Sequence, residues 1–452
     1  MATTRRHFLQ AGSIAGLGLA GMRQSPAAAA QQVSPNDRIQ IATVGVGGMG
    51  MGDTETAADL PGVKLVAAAD VYQGRLDRTR ERWGSDVFIT RDYREVLARS
   101  DVDAVIIATP DHWHARMAID AMNAGKDVYL QKPMIQKAEE GQPLVEAARK
   151  TGRILQVGSQ RVSSIIYAKT KELYESGAIG QLNLVEAWWD RNSAQGAWQY
   201  SIPLDATPEN IDWDRFLGHA PKAPFEPVRL FRWRNYRDYG TGVAGDLFVH
   251  LFSGIHYALS SVGPTRIFSG GGLRFWKDGR DVPDVMLGLF DYPATKSHPA
   301  FTLALRVNFV SGGGESHGFR FVGSEGIMTI LGGVSLAKPP KESEPGYTIG
   351  TFPQSVQEAF LKDYRAKYPE RPPTPAALGA DYTEKYVTPP GYSDQVHHHQ
   401  NFVHAVRSRQ PVVEDAAFGF RAAGPAVLCN TSYFETRVCE WDPQQMKVAS
   451  SS

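Results

Sequence analysis

The sequence has little cysteine, no excess of charge of either sign and no long apolar run in its body. Only Cys429 and Cys439 occur among 452 residues, which excludes a disulfide framework and a thiolate metal cluster. One bridge between them and two unpaired core cysteines remain open. Because 48 basic residues balance 48 acidic ones, the total charge gives no reason to expect a nucleic-acid or anionic-membrane partner.

The first thirty residues differ from the rest of the chain. Arg5 and Arg6 precede a glycine-rich apolar run (AGSIAGLGLAG) and an alanine-rich exit that ends near Ala30. This order is typical of a twin-arginine export signal, and a disordered basic tail is the alternative. We therefore expect residues 1–30 to be removed and the mature protein to be periplasmic or otherwise exported. No later stretch approaches the about 18 continuous apolar residues that span a bilayer.

The hydrophobic pattern divides the mature chain into two domains. Residues 36–160 alternate short apolar runs such as AVIIA with amphipathic stretches, which predicts a parallel α/β sheet of the Rossmann type. Residues 161–452 contain longer alternating runs such as VMLGLFDY, which predict an α+β domain with a large, mostly antiparallel open sheet. A segment rich in proline, glycine and charge, 338–393, is predicted to be a surface excursion. The helix pair Val396–Arg407 and Phe418–Glu435 is expected to pack back on the body.

A glycine motif follows the first predicted strand. Gly45, Gly47 and Gly50 form G-x-G-x-x-G, and Asp70 ends the second strand twenty residues later. The glycines permit a tight turn, close approach to a pyrophosphate and helix–strand packing, while the aspartate accepts bonds from the ribose hydroxyls. The aspartate also repels a 2′-phosphate, so NAD is predicted rather than NADP. The other predicted cofactor contacts are Gly48, Met49, Thr109, Pro110, His112, His114 and Gln131; for the two histidines, helix capping is the alternative.

Three residues are candidates for proton transfer. Lys132 follows a strand of the same sheet, at the end where ligands bind, and burial beside a positive nicotinamide would lower its pKa. Asp246 and His250 lie four residues apart and therefore on one face of a predicted helix. The alternatives are a solvated lysine, a capping aspartate and a core histidine.

With these residues in place, the chain resembles the glucose–fructose oxidoreductase and inositol dehydrogenase family, Gfo/Idh/MocA. The resemblance runs from about Arg38 to Trp441 and depends on VGVGGMG, ATPDHWHARMAIDAMNAGKDVYLQKP and GDLFVHL in that order. It implies a Rossmann domain, an open-sheet domain that supports oligomers, and oxidation or reduction of sugars and polyols. The family's proton-transfer lysine matches Lys132, and its aspartate–histidine pair matches Asp246 and His250. Gln131 and Ser253 depart from the residues most common in the family.

Aromatic and arginine residues are candidates for binding a sugar. Aromatic faces suit the C–H groups of pyranose rings, and guanidinium groups suit hydroxyls or a carboxylate. The predicted substrate contacts are Lys132, Arg161, Trp189, Arg234, Tyr236, Asp246 and His250. The adjacent histidines 397–399 point about 100° apart in a helix and cannot share one ion, so no metal site is predicted.

Export and a nicotinamide cofactor are in tension, because no soluble NAD pool is expected outside the cytoplasm. The leading hypothesis is therefore a periplasmic oxidoreductase that retains its NAD and acts on carbohydrate. A redox-neutral glycosidase, lyase or epimerase that oxidises a sugar carbon transiently is the first alternative, and a non-catalytic sugar-binding protein is the second. A dimer or tetramer of identical chains is expected.

Overall fold

The computed structural model describes residues 38–338, 348–369 and 383–449. The predicted export signal lies outside these residues, as do two parts of the 338–393 excursion. Within the described residues the strands form two sheets of six and ten strands, which confirms the predicted fold class. No helix in these ranges is long and apolar enough to cross a membrane.

The first sheet is parallel and has the strand order β3-β2-β1-β4-β5-β6. Its strands are β1 (Ile39–Val44), β2 (Val63–Ala69), β3 (Phe88–Thr90), β4 (Ala104–Ile107), β5 (Asp127–Leu130) and β6 (Leu155–Val157). The central strands β4 and β5 are buried at every position, as expected for a sheet covered on both faces. The connecting helices are α1 (Gly48–Ala58), α2 (Gln73–Trp83), α3 (Tyr93–Leu97), α4 (Asp111–Asn123) and α5 (Gly141–Thr151).

The second sheet is antiparallel except where β7 and β10 pair in parallel. Its order is β14-β13-β12-β11-β7-β10-β9-β8-β15-β16. The strands are β7 (Leu182–Asp190), β8 (Arg266–Gly272), β9 (Val285–Tyr292), β10 (Phe301–Asn308), β11 (Ser316–Gly323), β12 (Ile327–Ile330), β13 (Val334–Ala337), β14 (Thr383–Tyr386), β15 (Cys439–Asp442) and β16 (Lys447–Val448). Strand β9 alternates buried and exposed residues, so one face of the sheet packs on helices and the other is open.

The remaining helices cover the second sheet or connect the two domains. They are α6 (Ile165–Glu175), α7 (Trp213–Leu217), α8 (Pro227–Phe231), α9 (Val249–Leu259), α10 (Gln354–Lys367), α11 (Asp394–Ser408) and α12 (Ala416–Glu435). Helix α10, in the predicted excursion, has no buried residue. Helices α11 and α12 match the predicted final pair within two residues at each end.

Helix α11 belongs to the first domain in space although it lies far along the chain. Phe402 and Val403 are buried with residues of β1 and β4 in one apolar cluster. His399 stacks on Tyr129 of β5, with ring centroids 4.3 Å apart. The predicted boundary at residue 160 therefore separates the two sheets, but the Rossmann layer also includes this C-terminal helix.

Candidate active site

The glycine motif forms a tight turn between β1 and α1. Gly45 has φ +85°, a conformation that side chains disfavour, and a Cβ there would lie 2.6 Å from Ala108 O. A Cβ on Gly50 would lie 1.8 Å from Gly45 O, so only glycine lets α1 pack this closely on β1. Gly50 itself does not line the cleft beside this turn. The turn leaves the N-terminus of α1 open to a phosphate, which is favoured there.

Asp70 stands at the end of β2 beside that turn. Its two carboxylate oxygens accept bonds from Val46 N and Tyr72 N, both at 3.0 Å. A carboxylate has about four acceptor positions, so each oxygen retains capacity for a ribose hydroxyl. The guanidinium of Arg75 lies 3.6 Å from the same group. The fixed carboxylate, the open helix terminus and the close-packed glycines fit a dinucleotide with an unphosphorylated ribose.

The cleft next to this turn has a volume of about 540 Å³ and is lined from both domains. Gly47, Gly48, Met49, Asp70, Thr109 and Pro110 line its Rossmann side. The opposite side consists of residues from the stretch between β7 and α9, which we call the covering segment (residues 195–235). Its lining residues are Gln195, Tyr200, Ser201, Arg215, Phe216, Leu230, Phe231, Trp233 and Arg234.

The covering segment is fastened to the Rossmann domain near the adenosine end of the cleft. Ile211 pairs with Tyr72 in an isolated antiparallel bridge, and Tyr72 Oη donates to Asp205 at 2.6 Å. The ring of Phe231 packs edge-on against Tyr72, with centroids 5.3 Å apart. Trp113 Nε1 donates to Phe216 O at 3.0 Å. These hydrogen bonds and ring contacts therefore hold the covering segment against the Rossmann domain on this side of the cleft.

Lys132 and Asp246 meet where the two domains face each other. Lys132 Nζ donates to Asp246 Oδ1 at 2.7 Å and to Asp246 O at 2.9 Å. Arg234 Nε donates to the same Oδ1 at 3.1 Å. Asp246 lies in a π-helical turn, Ala244–Phe248, directly before α9, and such turns are frequent at functional sites because they redirect side chains.

The charges of this cluster set its protonation states. Burial lowers the pKa of Lys132, although Asp246 opposes this effect. Burial alone would raise the pKa of Asp246, but Lys132 and Arg234 overcome it and hold that pKa well below its usual range. Asp246 is therefore an anion that holds Lys132 in place, while Lys132 releases its proton more readily than a surface lysine.

His250 lies one turn further along α9, near Lys132. Its Nδ1 lies 3.2 Å from Ser159 Oγ, and its ring is 5.3 Å from that of Trp189. Burial, with Lys132 and Arg161 next in effect, lowers the pKa of His250 well below its usual value. The ring is thus a neutral imidazole at physiological pH. Three predicted catalytic residues and the predicted contacts Arg161, Trp189 and Arg234 therefore lie in one region.

Two functional candidates were missed by the sequence analysis. Arg191 immediately follows β7, and its guanidinium carbon lies 5.8 Å from the Trp189 ring centroid. His317 of β11 pairs with Trp189 in register and stacks on it at 4.7 Å. The only sequence signal for either residue was its position at the end of a strand. Arg191 follows β7 and His317 lies at the start of β11, and these two strands are far apart in the sequence.

The structure corrects the assignment of His112 and His114 to the cofactor site. His112 Nε2 lies 2.9 Å from Phe216 O and its Nδ1 lies 3.3 Å from Tyr239 O. His114 lies 2.7 Å from Pro133 O and 2.8 Å from Thr109 O. Burial lowers the pKa of each ring to about 4. Because backbone carbonyls occupy both nitrogens, these rings join loops and do not line the cleft.

Gln131 and Tyr236 also lie outside the cleft. Gln131 Nε2 donates to Asp53 Oδ2 at 2.7 Å in the interior of the Rossmann domain, so it fixes α1 rather than a cofactor. Tyr236 is buried in the apolar cluster of the covering segment, with the Arg229 guanidinium 4.8 Å from its ring centroid. Both residues therefore support the walls of the site.

Ser253, the other residue that departs from the family pattern, and the adjacent histidines of α11 have structural roles. Ser253 donates to Glu414 at 2.8 Å inside the protein. His398 Nε2 lies 2.8 Å from Val157 O, whereas His399 Nε2 lies 3.2 Å from Asp53, so the two rings point to different partners. Among the described residues no group of histidine, cysteine and acidic side chains could hold a metal ion. Cys429 and Cys439 are buried and unbridged.

Comparison with known proteins gives the class of the molecule. Residues 39–159 match the NAD-binding Rossmann domain of an oxidoreductase family, and residues 189–266 match the C-terminal α/β domain of the same family. The fold and cleft thus define an NAD-binding, two-domain oxidoreductase. The two matches assign both of these regions to the Gfo/Idh/MocA family.

The curated relatives are similar over part of their length. A glycosyl hydrolase family 109 protein of Shewanella sp. strain ANA-3 is 32% identical over 205 residues, which are 39% of this chain and 44% of that protein. An inositol 2-dehydrogenase of Rubrobacter xylanophilus is 34% identical over 186 residues, 40% of this chain and 53% of that protein. The matched region therefore spans about half the length of these relatives.

Solved structures share the fold across most of the chain. Levoglucosan dehydrogenase in complex with NADH and levoglucosan superposes with a TM-score of 0.63 at 16% identity, covering 89% of this chain and 99% of that one. A scyllo-inositol dehydrogenase from Lactobacillus casei gives 0.58 at 17% identity, covering 89% and 98%. At these identities the likeness establishes the arrangement of the two domains.

Proposed function

We propose that the protein is an exported oxidoreductase that acts on sugars or sugar derivatives with a tightly held NAD. The observation that carries this proposal is the convergence of Lys132, Asp246 and His250 between the NAD-binding domain and the open-sheet domain. Relatives named as an inositol dehydrogenase and a glycosyl hydrolase support a carbohydrate substrate. The twin-arginine motif at residues 5–6 supports export.

The chain's own residues account for the proton that leaves the substrate. Bound NAD supplies a hydride acceptor. Lys132, in its uncharged form, takes the proton of the hydroxyl on the carbon that loses hydride. Asp246 orients Nζ through the 2.7 Å bond, and Arg234 holds the same carboxylate oxygen at 3.1 Å. His250 lies within reach of a neighbouring hydroxyl as a neutral donor or acceptor.

Cofactor retention is supported by the covering segment. A soluble NAD pool is not expected outside the cytoplasm, so an exported enzyme has to carry its cofactor with the folded chain. The bridge between Tyr72 and Ile211 and the packing of Phe231 on Tyr72 close the adenosine side of the cleft. With NAD retained, each turnover returns the hydride to the same sugar or passes it to a second one.

A redox-neutral reaction is the second candidate. Oxidation of a ring carbon acidifies the adjacent C–H bond, and a second base then permits elimination or inversion before the hydride returns. His250 is the candidate for this base, because its neutral imidazole lies beside Lys132 with one unprotonated ring nitrogen. A glycosidase, lyase or epimerase of this kind produces no net NADH.

The test starts with protein purified after export and gel filtration. We expect near-stoichiometric NAD and a reduced-nicotinamide absorbance band that rises and falls when sugars from a panel are added. The variant K132A should bind NAD but give no band, while K150A, on the exposed side of α5, should behave as wild type. Protein that turns over only with added free NAD contradicts retention, and a K132A variant that keeps the wild-type band contradicts the catalytic assignment of Lys132. A non-catalytic sugar-binding protein would bind sugar and give no band in either form.

Isotopes separate the two reaction types. Transfer between sugars carries deuterium from a labelled substrate carbon into a second sugar. A redox-neutral elimination or epimerisation instead incorporates deuterium from solvent into the product. Either pattern identifies the reaction even before the natural sugar is known.

A further inference from the structure

Two arginines converge on Trp189 beside the proposed catalytic residues. The guanidinium carbon of Arg161 lies 5.3 Å from the Trp189 ring centroid, and that of Arg191 lies 5.8 Å away. Arg161 lies in the turn after β6, the last strand of the first sheet, and Arg191 directly follows β7 of the second sheet, so the pair lies where the two sheets meet. Both side chains are largely buried, with 19% and 17% of their surface exposed.

Among the described residues, neither arginine is hydrogen-bonded to an acid. Arg161 lies 3.7 Å from Asp394 and Arg191 lies 3.9 Å from Glu315, both beyond ordinary hydrogen-bond distance. Glu315 is also 62% exposed, where water screens its charge. Arg191 does donate to Gly196 O at 2.9 Å, but a carbonyl carries no formal charge.

The same region contains donors without acceptors. Arg191 Nε and Trp189 Nε1 are both buried and, among the described residues, make no hydrogen bond. Unsatisfied buried donors are uncommon in folded proteins and frequently mark a ligand site. Two of them on adjacent groups favour a ligand that brings acceptor oxygens.

The catalytic residues add further positive charge. Lys132 and Arg234 share a single carboxylate oxygen of Asp246, and burial raises the pKa of Asp111, another acid that acts on both, to about 7. Of the two histidines that adjoin Trp189, burial keeps His250 neutral, and burial with Arg161 and Arg191 lowers the pKa of His317 to about 4. Four cations therefore lie around this region, and among the described residues only Asp246 binds any of them as a hydrogen-bonded acid.

We propose that Arg161 and Arg191 form a subsite for an anionic group on the sugar, so that the substrate is a uronic acid or a sulfated sugar. Paired guanidinium groups match the planar, multivalent acceptors of a carboxylate or a sulfate ester. This inference deepens the proposed function and rests on it, because the two arginines lie beside Trp189, which adjoins His250. It concerns binding, whereas the oxidoreductase proposal concerns hydride transfer.

The test compares matched sugars by calorimetry on the NAD-loaded protein. Glucose and galactose are each paired with their uronate and their 6-sulfate, which separates the two anion types. We expect one anionic member to bind at least about tenfold more tightly than its neutral partner, the effect of one charge-assisted hydrogen bond. R161Q and R191Q should each remove that preference, and R161K should retain part of it.

The control is R320Q, which removes an arginine paired with Glu186 on the open face of the sheet. It should leave the preference unchanged. The proposal is overturned if neutral sugars bind as tightly as anionic ones, if no anionic sugar binds, or if R161Q and R191Q keep the wild-type preference. Thermal unfolding of each variant shows whether a lost preference reflects misfolding. If R161Q misfolds, the conservative variant R161K shows whether the positive charge at this position is needed for the preference.

Hydride transfer is measured separately on the same samples. A protein that binds a uronate through Arg161 and Arg191 but never reduces NAD retains the anion subsite and contradicts the proposed function. A protein that oxidises only neutral sugars supports the proposed function and contradicts the anion subsite. The two failures are therefore distinguishable.

Discussion

At the scale of single residues, Lys132 lies between groups that move its pKa in opposite directions. Burial lowers the pKa, Asp246 raises it and Arg234 lowers it again. The same carboxylate oxygen binds both cations. The position of the proton on Lys132 therefore depends on the balance between Asp246, the more weakly acting Asp111 and the neighbouring Arg234.

This balance predicts opposite pH shifts for two substitutions. Lys132 must be uncharged to accept the substrate proton, so the rate of sugar oxidation rises as pH increases through its pKa. D246N removes the anion, lowers the pKa and shifts the rising limb to lower pH. R234Q removes the cation, raises the pKa and shifts the limb to higher pH. The check is the pH profile of NAD reduction with a saturating sugar; shifts in the same direction would mean that another group sets the limb.

The sequence predicted some residues of the site correctly and assigned others to it wrongly, and the difference has a physical reason. Gly45, Asp70 and Lys132 follow strands directly, so their places depend on local chain direction. His112, in contrast, is held by the carbonyl of Phe216, 104 residues away. Backbone carbonyls have no sequence signature, and the histidines in the first turn of α4 therefore looked equally suited to a ligand.

At the scale of elements, the packing of α1 on β1 sets the shape of the cofactor turn. Gly50 and Gly52 both lie in α1, but only Gly50 meets the strand. A Cβ at Gly50 would lie 1.8 Å from Gly45 O, whereas a Cβ at Gly52 has no neighbour within 4 Å. The two positions therefore form a matched pair.

The pair gives a prediction for stability and NAD binding. G50A should lower the free energy of unfolding by about 3 kcal/mol or more, since the backbone has to move, and should release NAD. G52A should leave NAD binding unchanged and raise stability by up to about 1 kcal/mol, because alanine favours the helix. Thermal unfolding and the nucleotide content of purified protein measure both. Equal effects of the two changes would refute the close packing of α1.

The contacts of the covering segment lead to a prediction about NAD retention. Phe231 lines the cleft and packs on Tyr72, whereas Phe225 of the same segment packs on Trp213 away from it. F231A should accelerate NAD dissociation about tenfold or more, the equivalent of about 1.4 kcal/mol of lost contact. F225A should lower stability without this acceleration. Exchange of bound NAD for labelled NAD is the measurement, and equal rates in both variants would assign retention to another element.

Individual elements were more predictable than their long-range packing. Hydrophobic period identified the strands of the first sheet, β7 to β12 of the second sheet and the final helices to within a few residues, since period depends on neighbouring positions. It did not identify the short strands β13 to β16. The return of α11 to the Rossmann layer depends instead on Phe402 and Val403 fitting an apolar surface formed more than 200 residues earlier. The covering segment was likewise assigned only as loops and aromatic residues, because its closure needs the partner domain.

At the scale of the whole molecule, the open face of the large sheet is apolar in one region. Phe268, Leu287 and Leu289 are 47%, 53% and 52% exposed, and Phe268 pairs directly with Leu289 across β8 and β9. These residues alternate with buried ones such as Met286 and Phe290, so the strand turns apolar groups to both faces. Exposed apolar patches on a regular surface favour contact with another chain.

We expect this face to form the interface of a dimer or tetramer of identical chains. A two-fold axis across a sheet would bring the same apolar patch of each copy together. The double substitution L287D/L289D places charges in that contact and should shift the protein to a smaller assembly, measured by light scattering after gel filtration. L204D introduces a charge at a fully exposed leucine on the covering segment and should leave the mass unchanged. Because Leu287 and Leu289 point away from the NAD cleft, L287D/L289D should keep its bound nucleotide. If it keeps both the nucleotide and the wild-type mass, the interface lies elsewhere.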